Sequence, residues 1–222
     1  MPGPFQTAAG LALIRRHERR SAAGRTARPS SWHDGRMDSE RHSGPRLRLW
    51  RDADLGLLRL INSPEMTEHL GGPETEEQLL ARHQRYLLSA ADGAFQMFVI
   101  ELGTPTAPEA AGGIGFWPTT WNGTEVYETG WSVLPAHQGK GVATAAARLV
   151  TRQAAARGDR EDLHAFPKID NPASNAICAR AGFRLLGEAG FEYPKGHPIR
   201  VNDWWLNLAA LSPAALGSAP EA

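Results

Sequence analysis

The 222-residue chain contains one cysteine, Cys178. A lone thiol excludes an internal disulfide and suits a reducing compartment, so a cytoplasmic setting is expected. No stretch approaches the ~20 consecutive apolar residues that span a bilayer, and no membrane role is expected. His69 and His83 have no Cys or acidic partners at metal-ligand spacing, so both read as ordinary helix residues and no metal is expected. There is no internal repeat. Net charge is also missing, with 24 basic residues against 24 acidic ones. The balance is uneven, however. Residues 1–43 hold eight arginines against four acids, which leaves sixteen basic and twenty acidic residues beyond them. A mildly acidic body argues against a nucleic-acid binder and suits a cationic amine.

Residues 1–43 are rich in Arg, Ser, Gly, Pro and Ala, with few large apolar side chains after Ile14. Such a segment buries too little surface to offset its ordering entropy and is expected to be a disordered basic tail. A basic interaction arm is the alternative, and a start at Met37 a third. A short helix over Ala8–Arg20 is conceivable, but its charges follow the apolar stretch, the reverse of a secretory signal. The folded domain is expected over 44–209, with a frayed tail over 210–222.

The domain opens on the alternating strand Arg46–Trp50. Asp52 is expected to cap a helix carrying Leu55, Leu58 and Ile61. Asn62-Ser63-Pro64 breaks it, and Glu65–Leu70 forms a short turn. Thr75 and Gln78 have the form of a capping box ahead of a helix with Leu79, Leu80, His83, Tyr86 and Leu87. Phe95–Glu101 and Gly112–Trp117 read as a hairpin joined by a loop over Gly103–Glu109. Pro118–Gly123 reads as a second turn, with Asn122-Gly123 its hairpin signal.

Everything then converges on Glu125–Val150. Val126–Val133 is a strand, ended by Pro135. Val142, Ala146, Leu149 and Val150 recur at helical spacing, and Gly158 terminates the helix. Between them lies Gln138-Gly139-Lys140-Gly141-Val142-Ala143. The first N–H groups of a helix are unpaired and sit at the positive end of its dipole. Gly139 and Gly141 clear the approach, and Lys140 adds a charge, so the loop suits a phosphate or pyrophosphate; a plain tight turn is the alternative. It is not a P-loop, because Leu134 and Gly141 stand where that motif needs Gly and Ser or Thr. It is not the dinucleotide fingerprint, because Thr144 occupies its last small position.

The hexapeptide Gln138–Ala143 resembles the acetyl-coenzyme A loop of the GCN5-related N-acetyltransferase superfamily: Gln or Arg, two residues, Gly, one residue, Gly or Ala. A second segment, Asn171-Pro172-Ala173-Ser174-Asn175 through Ala181-Gly182-Phe183, is similar to the family's other signature. The resemblance covers about Arg46 to Leu208 and is greatest to the branch of ribosomal-protein N-terminal acetyltransferases. It implies an α/β fold with a mixed, largely antiparallel central sheet flanked by helices. That sheet splays between the central strand and the following parallel strand, expected over Leu163–Phe166. Asp170–Ala181 would be the second coenzyme-side helix, and Phe183–Phe191 and Asn202–Leu208 the final strands.

The resemblance also implies the chemistry. Acetyl-CoA would be the co-substrate and an amine, on a small molecule or a protein N-terminus, the acceptor; the protein would be a monomer or homodimer. Residues 138–143 would hold the pyrophosphate, and Ser132 and Val133 would present backbone groups to pantetheine, one N–H polarising the thioester. Asn171 would bond the pantetheine amide, and Ser174 would cap the helix or touch the coenzyme. Glu128, ten positions before Gln138, is the expected base, in an apolar setting with Tyr127 and Trp131, with a strand glutamate paired to a neighbouring arginine as the alternative; Glu188, Glu192 and His164 are reserves. Cys178 stands where many relatives carry a tyrosine that protonates the leaving thiolate, and reads either as that acid or as a packing residue. Trp117, Trp121, Tyr193 and Trp204 are walls or core. A non-catalytic acyl-CoA sensor on the same fold is the alternative function.

Overall fold

In the computed structural model, the structure is described over residues 44–92, 95–193 and 196–211. The expected tails, the Ala8–Arg20 helix and Met37 fall outside those residues. Seven strands form one sheet in the order β1-β2-β3-β4-β5-β7-β6: β1 Arg46–Leu49, β2 Gln96–Thr104, β3 Ala107–Trp121, β4 Thr124–Val133, β5 Asp162–Ala165, β6 Arg184–Glu192 and β7 Pro198–Asn207. All neighbours are antiparallel except β4 and β5, which run parallel because a helical crossover joins them.

Strand alternation divides the core in two. Phe98 and Ile100 of β2 pack with Phe116, Tyr127 and Leu163 against α4 (Val142–Arg157) and Cys178 of α5 (Pro172–Ala181). Their neighbours Met97 and Val99 face the other way, into Trp50, Leu58, Ile61 and Tyr86 beneath α1 (Leu55–Ile61) and α3 (Glu76–Asp92). The sheet is thus a middle layer between two pairs of helices. Ala146 and Ala154 of α4 are fully buried, and their small side chains let that helix lie close on the sheet.

Local signals explain most boundaries. Thr75 and Gln78 do form the capping box, Thr75 N–H donating to Gln78 Oε1 at 2.9 Å and Gln78 N–H to Thr75 Oγ1 at 3.3 Å. The start of α1 is held by Asp54 rather than Asp52. The Asp54 carboxylate accepts from Arg51 N–H at 2.7 Å and from Arg48 Nη1 and Nη2 at 3.0 and 2.9 Å, whereas Asp52 is largely solvated. The four-residue helix α2 (Pro64–Thr67) is capped by Ser63, whose hydroxyl accepts from Met66 N–H.

Three expectations are corrected. The β2–β3 hairpin is longer than the sequence pattern suggests: ladder pairing continues to Thr104↔Ala107, so most of Gly103–Glu109 is strand. Pro118 lies inside β3, opposite Tyr127, and only Asn122-Gly123 turns the chain. β7 begins at Pro198, four residues before the expected Asn202.

Candidate active site

The parallel β4–β5 ladder is short. Tyr127↔Leu163 and Glu128↔His164 pair, and then the strands part while β4 runs on to Val133. Two cavities open along the gap. A cleft of about 550 Å³ runs between the start of α4 and α5, with Gln138, Gly139, Gly141, Thr144, Ile177 and Arg180 on its walls. A smaller pocket of about 120 Å³ lies beyond it, with Glu128, Trp117, Phe166, Phe191, Tyr193 and Ile199. His69, Leu70, Trp131, Asn171 and Ser174 line both, so the two spaces meet there.

The loop after β4 has the geometry of an anion cradle. Gly139 and Gly141 both adopt left-handed backbone angles, φ 70° and 78°, and Gly141 is the N-cap of α4. A side chain at either would be strained, and the space where its Cβ would stand is open. Val142, Ala143 and Thr144 form the first turn of α4, whose N–H groups lack intrahelical partners, and all three line the cleft. Lys140 is turned back, its ammonium donating to Ala136 O at 2.8 Å, and it does not line the cleft. The residues therefore fit a pyrophosphate through backbone and dipole more than through that lysine.

Backbone direction along β4 separates the two expected donors. Leu134 N–H donates to Ala111 O of β3 at 2.8 Å. Because successive residues of a strand point their polar groups to opposite sides, Ser132 also faces β3, while Trp131 and Val133 face the gap. Val133 O accepts from Gln138 Nε2 at 2.8 Å. Ser132 contributes a wall of the cleft, and the backbone groups aimed into the gap are those of Val133 and Trp131, the latter not anticipated from sequence.

Across the gap, Asn171 rather than Ser174 caps α5: Asn171 Oδ1 accepts from Ser174 N–H at 3.0 Å. Ser174 sits one turn in, still on both walls. Asn175 ties the helix to β7, its Oδ1 accepting from Asn202 Nδ2 at 2.7 Å and Trp204 Nε1 at 2.8 Å, so Trp204 is structural.

Glu128 is 6% exposed, and burial raises its carboxyl to about 8, with the neighbouring Trp117 indole acting the other way. Trp117 is its cross-strand partner and stacks on Phe95 at 5.8 Å. Tyr127, one position earlier, points to the opposite face, where its hydroxyl donates to Asp159 at 2.7 Å; it is not part of the pocket. Burial pushes the Tyr193 hydroxyl, on the pocket wall, up to about 12.

The reserve bases lie elsewhere. Glu188 is ion-paired to Arg200 on the surface. Glu192 is exposed. His164 is buried with Nδ1 2.6 Å from Asp203 Oδ1, which also accepts from Trp121 at Oδ2. None of the three lines either cavity, and neither does Trp121. Cys178 is fully buried in the core and burial pushes its thiol up to about 12; it too lines neither cavity. His69 proves more than an ordinary helix residue: it lies on both walls, with Nδ1 3.6 Å from Asp170 Oδ1 on the opposite bank. A lone His in a Pro- and Gly-bounded turn carried no signal of this. Among the described residues no cluster of His, Cys, Asp and Glu has metal-binding geometry, and no helix is long and apolar enough to cross a membrane.

Solved structures share this architecture. An acetyltransferase from Salmonella typhimurium that modifies the N-terminal serine of ribosomal subunit protein L7/L12 superposes with a TM-score of 0.61 at 22% identity, covering 74% of this chain and 95% of that one. Spermidine N-acetyltransferase from Vibrio cholerae, in complex with CoA and spermine, gives 0.61 at 18%, covering 74% and 96%. The microcin C7 self-immunity acetyltransferase MccE, with acetyl-CoA and AMP, gives 0.60 at 17%, covering 74% and 92%. No curated protein sequence matches the chain. The sequence profile of the acetyltransferase (GNAT) domain matches residues 46–184. That match runs from the first residue of β1 to the first of β6 and takes in the splayed strands and the glycine loop, so the chain belongs to the acetyltransferase (GNAT) domain family.

Proposed function

We propose that this protein transfers an acetyl group from acetyl-CoA directly to a primary amine held in the smaller pocket. The observation that carries this is Glu128, a buried carboxyl raised to about 8 on the wall of a pocket that meets the loop-side cleft. A base works best when its pKa lies near the working pH, and a carboxyl at that value is matched to taking a proton from an ammonium. A non-catalytic acyl-CoA sensor needs the cleft and the loop but has no use for such a group.

Acetyl-CoA supplies the activated thioester acyl group. Gly139, Gly141 and the first turn of α4 bind the pyrophosphate through backbone N–H groups. Val133 and Trp131 hold the pantetheine arm as a missing strand between β4 and β5, and Val133 N–H donates to the thioester oxygen as negative charge grows there. Gln138 secures the Val133 carbonyl and so holds the end of β4 against the loop that follows it. Asn171 and Ser174 close the opposite bank. Glu128 receives the proton that the amine must lose as its nitrogen bonds to the acyl carbon; the sulfur leaves as the C–S bond breaks, taking its proton from solvent. Cys178 plays no part in this scheme, because a thiol shut into the core reaches neither amine nor sulfur.

The test is direct. Incubating the full chain with acetyl-CoA and a mixture of primary amines should release free CoA thiol and yield amines heavier by one acetyl group in a mass spectrum. Tight acetyl-CoA binding with no acetylated amine would overturn the proposal in favour of the sensor.

A further inference from the structure

The smaller pocket has a composition that speaks to its acceptor. Trp117, Phe166, Phe191 and Tyr193 give it aromatic walls, completed by Leu70 and Ile199. These walls are fixed: Phe166 stacks on Phe191 at 5.4 Å and packs on Trp121 at 4.5 Å, and Trp117 is 1% exposed. The space, about 120 Å³, is close to the ~150 Å³ in which a single benzene ring is known to lodge.

Charge narrows the choice further. Glu128 is the one carboxylic acid among the described residues of this lining; the other ionisable groups are His69, Lys168 and Tyr193. Glu65 and Glu68 belong to the larger cleft. One ammonium can therefore meet Glu128 and the electron-rich ring faces around it. A second ammonium in the pocket would lose its water against apolar walls with no carboxylate to receive it. A peptide backbone threaded between the aromatic side chains would find few partners for its amide groups there.

We propose that the acceptor is a compact aralkylamine: a primary amine on one aromatic ring or a body of that size and polarity, with no second cation. This rests on the acetyl-transfer reading above. The aromatic body lies against the wall formed by Phe166, Phe191 and Tyr193, the ammonium turns toward Glu128, and Trp131, at the junction of the two cavities, stands where the amine meets the thioester.

The test compares three acceptors with the full chain at saturating acetyl-CoA, reading free thiol: 2-phenylethylamine, spermidine, and a six-residue peptide with a free N-terminus and no lysine. The kcat/KM for phenylethylamine should exceed the other two by roughly tenfold or more, as pocket complementarity commonly delivers. Phe191→Ala should raise the phenylethylamine KM by about tenfold and leave the calorimetric acetyl-CoA affinity unchanged. Acceptance of spermidine or the peptide at an equal or higher kcat/KM would overturn the assigned acceptor class and leave acetyl transfer standing, as would an unmoved KM in Phe191→Ala. Acetyl-CoA binding without turnover of any of the three would overturn both readings together.

Discussion

Gln138 donates from Nε2 to the carbonyl of Val133, five residues back, at 2.8 Å. The bond closes the turn between β4 and α4 and holds the Val133 carbonyl. Gln138→Ala should lose about 1 kcal/mol of stability, the usual worth of such a bond. Acetyl-CoA affinity should weaken by roughly five- to tenfold as the end of β4 and the loop after it lose their fixed relation. Denaturant titration and calorimetry on the same samples check both. An unchanged affinity would mean that the bond serves folding only.

Gly141 caps α4 at φ 78° with open space at its Cβ position. Gly141→Ala should therefore cost about 1–2 kcal/mol of stability through backbone strain alone. Gly141→Val adds a branched side chain where a pyrophosphate would approach and should abolish measurable acetyl-CoA binding while the protein still folds. Circular dichroism with calorimetric titration separates the two effects. Full affinity in the folded valine variant would remove the loop from the site.

How these features stand in the sequence depends on how local they are. The α4 loop was legible because strand, glycines and helix are contiguous and each carries its own signal. The length of β3 was not. Pro108 and Pro118 read as loop residues because proline breaks ladders. In the sheet, Pro108 lies before Gly112, where pairing with β4 starts, and Pro118 lies after Phe116, where pairing with β2 ends. Each proline thus sits where β3 has a partner on one side only, and its missing N–H costs nothing. The walls of the smaller pocket were hidden for another reason. Phe166, Phe191 and Ile199 come from three separate stretches that meet only because β7 inserts between β5 and β6. Tyr127 was expected beside Glu128 but lies on the other face, since parity sends adjacent residues to opposite sides of the strand.

Cys178 offers a clean negative. Cys178→Ala should leave kcat within about twofold of the parent and cost about 1 kcal/mol of stability from the lost packing of a buried sulfur. A large fall in kcat with unchanged acetyl-CoA affinity would return the thiol to the mechanism despite its burial.

The raised pKa of Glu128 also has a consequence for folding. Its carboxyl titrates near 8 in the folded chain and near 4.5 when unfolded. Between those values the unfolded chain has released a proton that the folded chain keeps, so the contribution of Glu128 to stability is full below pH ~4.5 and declines as pH rises toward ~8. Gln carries no such penalty. The Tm of Glu128→Gln minus that of the parent should grow from about pH 5 to about pH 8 and level off above. A difference that stays constant over this range would show that Glu128 is not held neutral by burial.

Whether Glu128 accepts the amine proton is decided by a pH–rate series of the parent and Glu128→Gln with one good acceptor. The parent kcat/KM should rise with an inflection near pH 8, following ionisation of Glu128. In the variant that inflection should vanish and kcat should fall by roughly 10²–10⁴-fold, the range for loss of a general base, with acetyl-CoA affinity unchanged. The deficit should narrow at high pH, where the amine arrives already neutral. A variant whose kcat/KM matches the parent from about pH 6 to about pH 10 would contradict the assignment.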